Sequence, residues 1–285
     1  TKADVVLVSK LKPVLQKINP ELPEVAIDEA IKALTQDRSV MSMVSADREV
    51  YDLLKNGALV SFMNEKKEYK REPVRFIDWN NIENNNFLLA SQFWISGDMY
   101  TRRADLVGFI NGIPLLFMEL KASHRNLKEA YDENLRDYKS TIPQVFWFNG
   151  LIILSNGSKS RVGTISSEWE HFSEWKKINS EGEQGIVSME TVIKAVCDRE
   201  RFLDILENYT LFRDEKNGPI KIVAKNHQYL GVENAIKVFH KINENQGRLG
   251  VFWHTQGAGK TESMFFFSQK ILRKIPGNWT FVIVT

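Results

Sequence analysis

Residues 102–121, RRADLVGFINGIPLLFMELK, restrict the fold of this chain more than any other stretch. Arg103 to Ile110 is one apolar-rich run and Ile113 to Leu120 is another. Asn111-Gly112 between them supplies the two positive-φ residues of a tight turn. The pattern predicts a β-hairpin buried on both faces. Yet Asp105, Glu119 and Lys121 sit in or beside it, and a buried charge must be paired or bound to a metal. Glu119 and Lys121 are two apart on a strand, so they point to one face. A hairpin that brings Asp105 near them places two carboxylates and an ammonium in one pocket. Two hard oxygen ligands suit Mg²⁺, and the lysine can then act on an attacking water or on developing phosphate charge. The competing reading of the same charges is a buried structural ion pair, Glu119 with Lys121 or with Arg103.

The length of 285 residues allows one large domain or two ordinary ones. A net charge of +2, from 38 basic and 36 acidic residues, gives no general affinity for nucleic acid, so any basic surface must be local. A single cysteine, Cys197, excludes an internal disulfide and a Cys-x-x-Cys zinc site, and it fits a reducing, cytoplasmic setting. No apolar run approaches the ~20 residues that span a bilayer, so no membrane is expected.

Along the chain, helices are expected over 4–18 (broken or kinked at Pro13), 24–34 and 46–55, the last ending at Asn56-Gly57. NEKKEYKRE (64–72) reads as a solvated hairpin tip or loop. Strands are expected over 73–78 and 87–95, around an Asn-rich loop. Beyond the opening hairpin, Ser123 can cap a helix over 125–139. QVFWF, Asn149-Gly150 and LIILS read as a second hairpin, with a further turn at Asn156-Gly157. Residues 168–178 look helical, 179–185 look like a linker, and two short helices are expected over 188–196 and 198–208. A new unit is expected near residue 216: strand 220–224, helix 229–244, strand 249–253, helix 260–273 and strand 279–285. That is the beginning of a βαβ unit, whose sheet two strands cannot cover, and the first residue is not Met. The chain is therefore expected to be part of a longer protein.

HTQGAGKT (254–261) lies between the last expected strand-helix pair and has the form of a P-loop. Gly259, Lys260 and Thr261 fit it, Gly257 adds flexibility, and His254 replaces the first glycine. Backbone N–H groups there would cradle ATP phosphates, with Lys260 on the outer oxygens and Thr261 on Mg²⁺. Gln228 can read adenine through its amide, or simply stand at a helix start. Asn134 and Tyr138 are four apart and share a helix face. That face can lean over the acidic pocket and touch DNA, or be ordinary packing. Arg102 and Arg103 can contact phosphates, and Arg102 can equally be a plain surface charge.

The order Asp105, Asn-Gly turn, Glu-x-Lys, Tyr-bearing helix, FWFNGLIILSNG and HTQGAGKT resembles the restriction (motor) subunit of type I restriction endonucleases. The resemblance runs from about Arg48 to the C-terminus. It implies an α/β nuclease core of the PD-(D/E)xK type, a mixed sheet flanked by helices, then the start of a RecA-like P-loop helicase domain. The implied division is 1–180 endonuclease, 181–217 helical linker and 218–285 truncated motor domain. By match, Asp105, Glu119 and Lys121 are the cleavage residues, with Asp105 and Glu119 on Mg²⁺. Gly259, Lys260 and Thr261 bind ATP phosphates, and Gln228 stands where a helicase Q-motif would. The family's Gln-x-x-x-Tyr motif reads Asn134 to Tyr138 here, and Ala104 stands where the motif name has Pro. Glu29 or Glu49 is a candidate to complete the metal site.

The implied function is Mg²⁺-dependent cleavage of double-stranded DNA by an ATP-driven translocating enzyme, in company with methyltransferase and specificity subunits. The alternative is a DNA-binding and coupling module with a degenerate nuclease pocket. A stand-alone ATPase is disfavoured, because the Mg²⁺-holding acid and arginine finger of a motor would lie on later strands.

Overall fold

The computed structural model describes residues 4–63 and 67–283. Three helices open the chain: α1 (Val8–Ile18), α2 (Glu24–Thr35) and α3 (Met43–Asn56). Each buries one stripe, Leu11, Leu15 and Ile18 in α1 and Ala26, Ile27, Ala30, Ile31 and Leu34 in α2. Pro13 does not interrupt α1. It sits exposed with Ser9, so the carbonyl it leaves free faces water. Ser42 caps α3 by accepting from the Ser45 N–H, and Gly57 ends it at φ +81°.

A hairpin of β1 (Ala58–Met63) and β2 (Tyr69–Val74) follows. The expected solvated segment lies at its tip, exposed from residue 67, although residues 69–72 already belong to β2, and residues 64–66 lie outside the described residues. The ladder stops at Val74, short of the expected residue 78, because the Arg75 N–H turns to Asn19 Oδ1 and Asn111 Nδ2 takes the Phe76 carbonyl.

The central sheet runs in the order β3 (Phe87–Ser96), β4 (Thr101–Ile110), β5 (Ile113–Leu120), β6 (Leu151–Ser155), β7 (Ser160–Gly163). β3, β4 and β5 are antiparallel, β5 and β6 parallel, and β6 and β7 antiparallel. The sheet is thus mixed. The opening hairpin forms as its sequence dictates, with Asn111 at φ +54° and Gly112 at φ +83°. Gly112 also lies against Leu7: a Cβ there would sit 2.5 Å from its carbonyl oxygen.

The second expected hairpin is displaced. Residues Pro143–Phe148 form a 3₁₀ turn instead of a strand, since their expected partner β6 already has β5 and β7 as neighbours and offers no free edge. β6 begins where the Gly150 N–H meets the Leu115 carbonyl at 2.7 Å, and its hairpin partner β7 lies beyond the Asn156-Gly157 turn. The crossover from β5 to β6 is helical: α4 (Leu127–Glu129), a π-helical segment (Ala130–Leu135) and α5 (Arg136–Thr141). Asn126, not Ser123, caps it. Residues 168–178 are not a helix beyond a short turn at Trp169–His171, because Ser173 exchanges both backbone hydrogen bonds with Val162.

α6 (Met189–Val196) and α7 (Arg199–Asn208) form as expected. The sheet is covered on both faces. Phe117 meets the rings of Tyr138 and Phe146 on one, and Leu106, Leu116 and Met118 face Met189, Ile193 and Phe202 on the other. A hairpin of β8 (Thr210–Glu215) and β9 (Gly218–Val223) comes next, and Lys216-Asn217 is its turn. β9 docks on the sheet through Lys221. Its N–H donates to Ser166 Oγ, its carbonyl accepts from Thr164 and Ser166, and its buried ammonium lies 2.9 Å from Asp47 on α3.

α8 (Asn226–Phe239) and α9 (Lys260–Lys274) complete the chain. The strands expected over 249–253 and 279–285 are not formed among the described residues. Val251, Trp253, Val282 and Ile283 are exposed. A parallel strand exists only with hydrogen-bonded neighbours, and no other strand lies against these segments. Among the described residues, the expected βαβ unit is thus present as its Gly-rich loop and helices, without its sheet.

Candidate active site

The β4–β5 hairpin and the helical crossover converge at the C-terminal end of β5. Asp105 on β4 accepts the Leu120 N–H through Oδ2 at 2.8 Å, so one of its oxygens is fixed by the neighbouring strand. Glu119 is 2% exposed, and its Oε2 has no hydrogen-bond partner. Its Oε1 accepts from Lys121 Nζ at 3.3 Å. Burial, together with the Asp105 carboxylate nearby, pushes Glu119 up to about 7, while Lys121 and the Tyr138 hydroxyl oppose the shift.

The crossover supplies the other groups. Asn134 Oδ1 accepts a short hydrogen bond from Lys121 Nζ. Tyr138 donates to the Arg103 carbonyl at 3.2 Å and is itself pushed up by burial and by Glu119. Asn134 lies in the π-helical segment and Tyr138 in α5, so a wider turn sets the angle between them. Asp105, Glu119, Lys121, Asn134 and Tyr138 are therefore together, as the spacing predicts. The ion pair of Glu119 with Lys121 is present too, so the two readings of these charges coexist in one geometry.

Arg102 is placed differently. Its guanidinium makes a bidentate pair with Asp137 on α5, at 2.5 and 3.0 Å. Its donors are spent on anchoring β4 to the crossover. Asp137 was not singled out in the sequence, although its position one residue before Tyr138 put it on the same helix.

The donor set fits a hard divalent cation. Two carboxylates meet, and one has a buried oxygen with no hydrogen bond, a state a cation relieves. Glu29 and Glu49 do not join them. Glu29 pairs with Lys32 and Glu49 with the buried Arg38. No cluster of three or more His, Cys, Asp or Glu side chains with metal-holding geometry occurs among the described residues.

The second predicted set gathers at the head of α9. Gly257 and Gly259 take φ +77° and +79°. Lys260 Nζ donates to the His254 and Thr255 carbonyls, both at 3.0 Å. Thr261 is exposed beside it. Gln228 is 3% exposed and both ends of its amide are used: Oε1 accepts the Lys225 N–H and Nε2 donates to the Gly259 carbonyl. In this conformation Gln228 braces the loop rather than presenting an edge to a base.

A mixed α/β sheet with an acidic-and-lysine cluster, followed by a Gly-rich loop and helix, defines the class. The family described as type I restriction enzyme R protein N terminus matches residues 1–171, and the SWI2/SNF2 ATPase family matches residues 227–285. The HindI endonuclease subunit of Haemophilus influenzae is 32% identical over 99% of this chain and 28% of its own length. The putative MjaIXP endonuclease subunit of Methanocaldococcus jannaschii is 27% identical over 98% of this chain and 29% of its own. The SsaAORF53P endonuclease subunit of Staphylococcus saprophyticus is 26% identical over 69% of this chain and 20% of its own. The chain belongs to the family of type I restriction enzyme R protein N-termini. It spans under a third of the length of these relatives. No helix among the described residues is long and apolar enough to cross a membrane.

Proposed function

We propose that this chain carries the Mg²⁺-dependent endonuclease centre, of PD-(D/E)xK type, of a cytoplasmic, ATP-driven, DNA-translocating type I restriction enzyme. The substrate is double-stranded DNA, cut after translocation, and the partners are the methyltransferase and specificity subunits of the same complex. The division is residues 1–180 for the nuclease, 181–217 for a helical linker and 218–285 for the first part of the motor.

The observation that carries the reading is Glu119. A buried carboxylate with an unpartnered oxygen, beside a second carboxylate and a lysine, is unfavourable as a resting structure and suited to holding a cation. Asp105 and Glu119 would hold Mg²⁺, which when bound supplies Lewis-acid polarisation of the scissile phosphate. Asn134 orients the Lys121 ammonium, which steadies the attacking water or the charge developing on phosphate oxygens. Tyr138 fixes the β4 backbone beside Asp105 through the Arg103 carbonyl. Water attacks the phosphorus in line and gives up a proton to solvent as the P–O3′ bond breaks, and the departing 3′ oxygen takes up a proton from solvent. At the second site Lys260 would exchange its loop carbonyls for ATP phosphates, with Gly257 and Gly259 permitting close backbone approach and Thr261 holding the accompanying Mg²⁺.

The test is nicking of supercoiled DNA by the full restriction complex. Asp105→Ala and Lys121→Ala are expected to lower cutting by about 10³-fold or more while translocation persists. Cutting at the wild-type rate by either variant overturns the assignment. One observation favours the second reading, a DNA-binding and coupling module with a degenerate pocket: among the described residues no third His, Cys, Asp or Glu completes a metal-holding group here. Titration with Mn²⁺ separates the two, since an intact site binds it and loses it in Glu119→Gln.

A further inference from the structure

The β3–β4 ribbon runs on past the end of β5. The β4–β5 register begins at Leu106↔Met118, whereas β4 stays paired with β3 through Ser96↔Thr101. Residues 101–104 and 93–96 are therefore a two-stranded arm leaving the sheet directly beside Asp105. The arm is held firmly. The Gly97 N–H bonds the Tyr100 carbonyl at 2.8 Å, and Gln144 donates to the Ser96 carbonyl at 2.9 Å. A Cβ on Gly97 would sit 2.1 Å from the Thr141 carbonyl oxygen, so the turn is seated on the end of α5. Arg102 locks the arm to Asp137 and Tyr138 bonds its backbone at Arg103.

Against that rigid support, one face of the arm is exposed and chemically distinct. Trp94 and Arg103 are register partners, with the guanidinium 5.7 Å from the ring centroid. Trp94 is 48% exposed, and Tyr100 and Met99 at the turn are 51% and 84% exposed. A guanidinium lying along an indole keeps its fork directed and ready for a phosphate.

We infer that this exposed face, Trp94 with Arg103, is a nucleic-acid contact that seats the duplex backbone beside Asp105. The inference rests on the nuclease reading for the identity of the substrate. It replaces Arg102, whose donors Asp137 occupies, with Arg103 as the phosphate contact. Occupancy by DNA is favoured by nearness to the acidic pocket: Arg103 is two residues from Asp105 on β4, across the irregularity that Gln92, at φ +51°, puts in the β3–β4 ladder. A two-stranded ribbon also has the width to lie in a DNA groove. Arg103 takes a phosphate, and Trp94 packs on the adjoining deoxyribose, so the contact positions without reading sequence.

The experiment is fluorescence anisotropy of the 285-residue chain with a dye-labelled duplex of mixed sequence, in EDTA, over a range of salt. Arg103→Gln is expected to weaken binding about 5- to 10-fold and to lower the slope of log K against log salt by about one. Arg103→Lys keeps the charge and therefore the slope. Trp94→Ala weakens binding about 3- to 10-fold with the slope unchanged. Arg102→Gln leaves the slope as it is. Thermal melting of each variant reports folding, and Trp94→Phe supplies a milder change should the alanine variant unfold. Unchanged duplex affinity in Arg103→Gln and in both Trp94 variants overturns the inference. A loss confined to single-stranded DNA overturns it as well. Because EDTA removes any metal, failure here leaves the nuclease reading standing, and failure of that reading leaves this result readable.

Discussion

Glu119 holds its proton longer than a free carboxyl does, and that has a measurable sign. Its folded pKa is about 7 against an ordinary 4.5. Below the lower value both folded and unfolded forms are protonated and nothing is lost. As pH rises through the interval, the unfolded chain ionises first, and stability falls until about pH 7. The full loss is about 3 kcal/mol. In metal-free buffer Glu119→Gln is therefore expected to match the wild type near pH 4.5 and to melt higher at pH 8. A constant difference in melting temperature across that range would contradict the assignment. Added Mg²⁺ should raise the wild-type melting point at pH 8 and leave Glu119→Gln unmoved. At this scale the sequence was informative where partners are neighbours on a strand. The two-residue spacing of Glu119 and Lys121 and the four-residue spacing of Asn134 and Tyr138 each put the pair on one face. It was silent on Arg102 with Asp137 and on Asp47 with Lys221, which are 35 and 174 residues apart. Nothing local encodes such meetings.

At the scale of elements, the strongest turn signal was also the most faithful. Asn111-Gly112 has both the positive φ values that a two-residue hairpin needs and, at Gly112, no room for a side chain. Gly112→Ala is expected to lose about 2 kcal/mol or more in urea denaturation, through backbone strain and the Leu7 contact together. A loss below about 0.5 kcal/mol would show that the turn relaxes. Asn149-Gly150 carries the same dipeptide but makes no hairpin. The preceding Pro143–Phe148 segment cannot join a strand whose two edges are occupied. The helical crossover was legible as a helix, but its π-helical portion was not, since periodicity cannot register one wider turn. The unformed strands at 249–253 and 279–283 have strand-like composition and no neighbour, and β-structure is decided by the neighbour.

At the scale of the whole molecule, the buried Asp47–Lys221 pair ties α3 to the β8–β9 hairpin, and Lys221 also bonds the Asn149 carbonyl. Burial pushes Asp47 up to about 7 and Lys221 down, and the attraction of each for the other opposes both shifts. Asp47→Ala is expected to destabilise the chain by about 3–5 kcal/mol by leaving a buried ammonium unpaired. The double variant Asp47→Leu with Lys221→Met is expected to recover most of it, as read by chemical denaturation. Additive losses would mean that the two groups do not act as a pair. ATP turnover by the 285 residues alone is expected to be negligible. Lys260 rests on loop carbonyls, and among the described residues the sheet that would shape a nucleotide site is not formed. Readily measured, Lys260-dependent turnover would refute this.

The parallel pairing of β5 with β6 has a kinetic consequence. β4 and β5 meet across a two-residue turn, whereas Leu116 meets Leu151 only after a crossover of some thirty residues closes. Pairing strands across a long crossover costs more chain entropy than closing a two-residue turn, so Asp105 and Glu119, the carboxylates proposed to hold the metal, are expected to meet early, and Asn134 and Tyr138 to reach them only when the crossover docks. Substitutions in the turn at Asn111 should then slow folding, and substitutions at Ile142 or Val145 should chiefly hasten unfolding. The centre is laid down in two stages, its acids first and the partners of its lysine second.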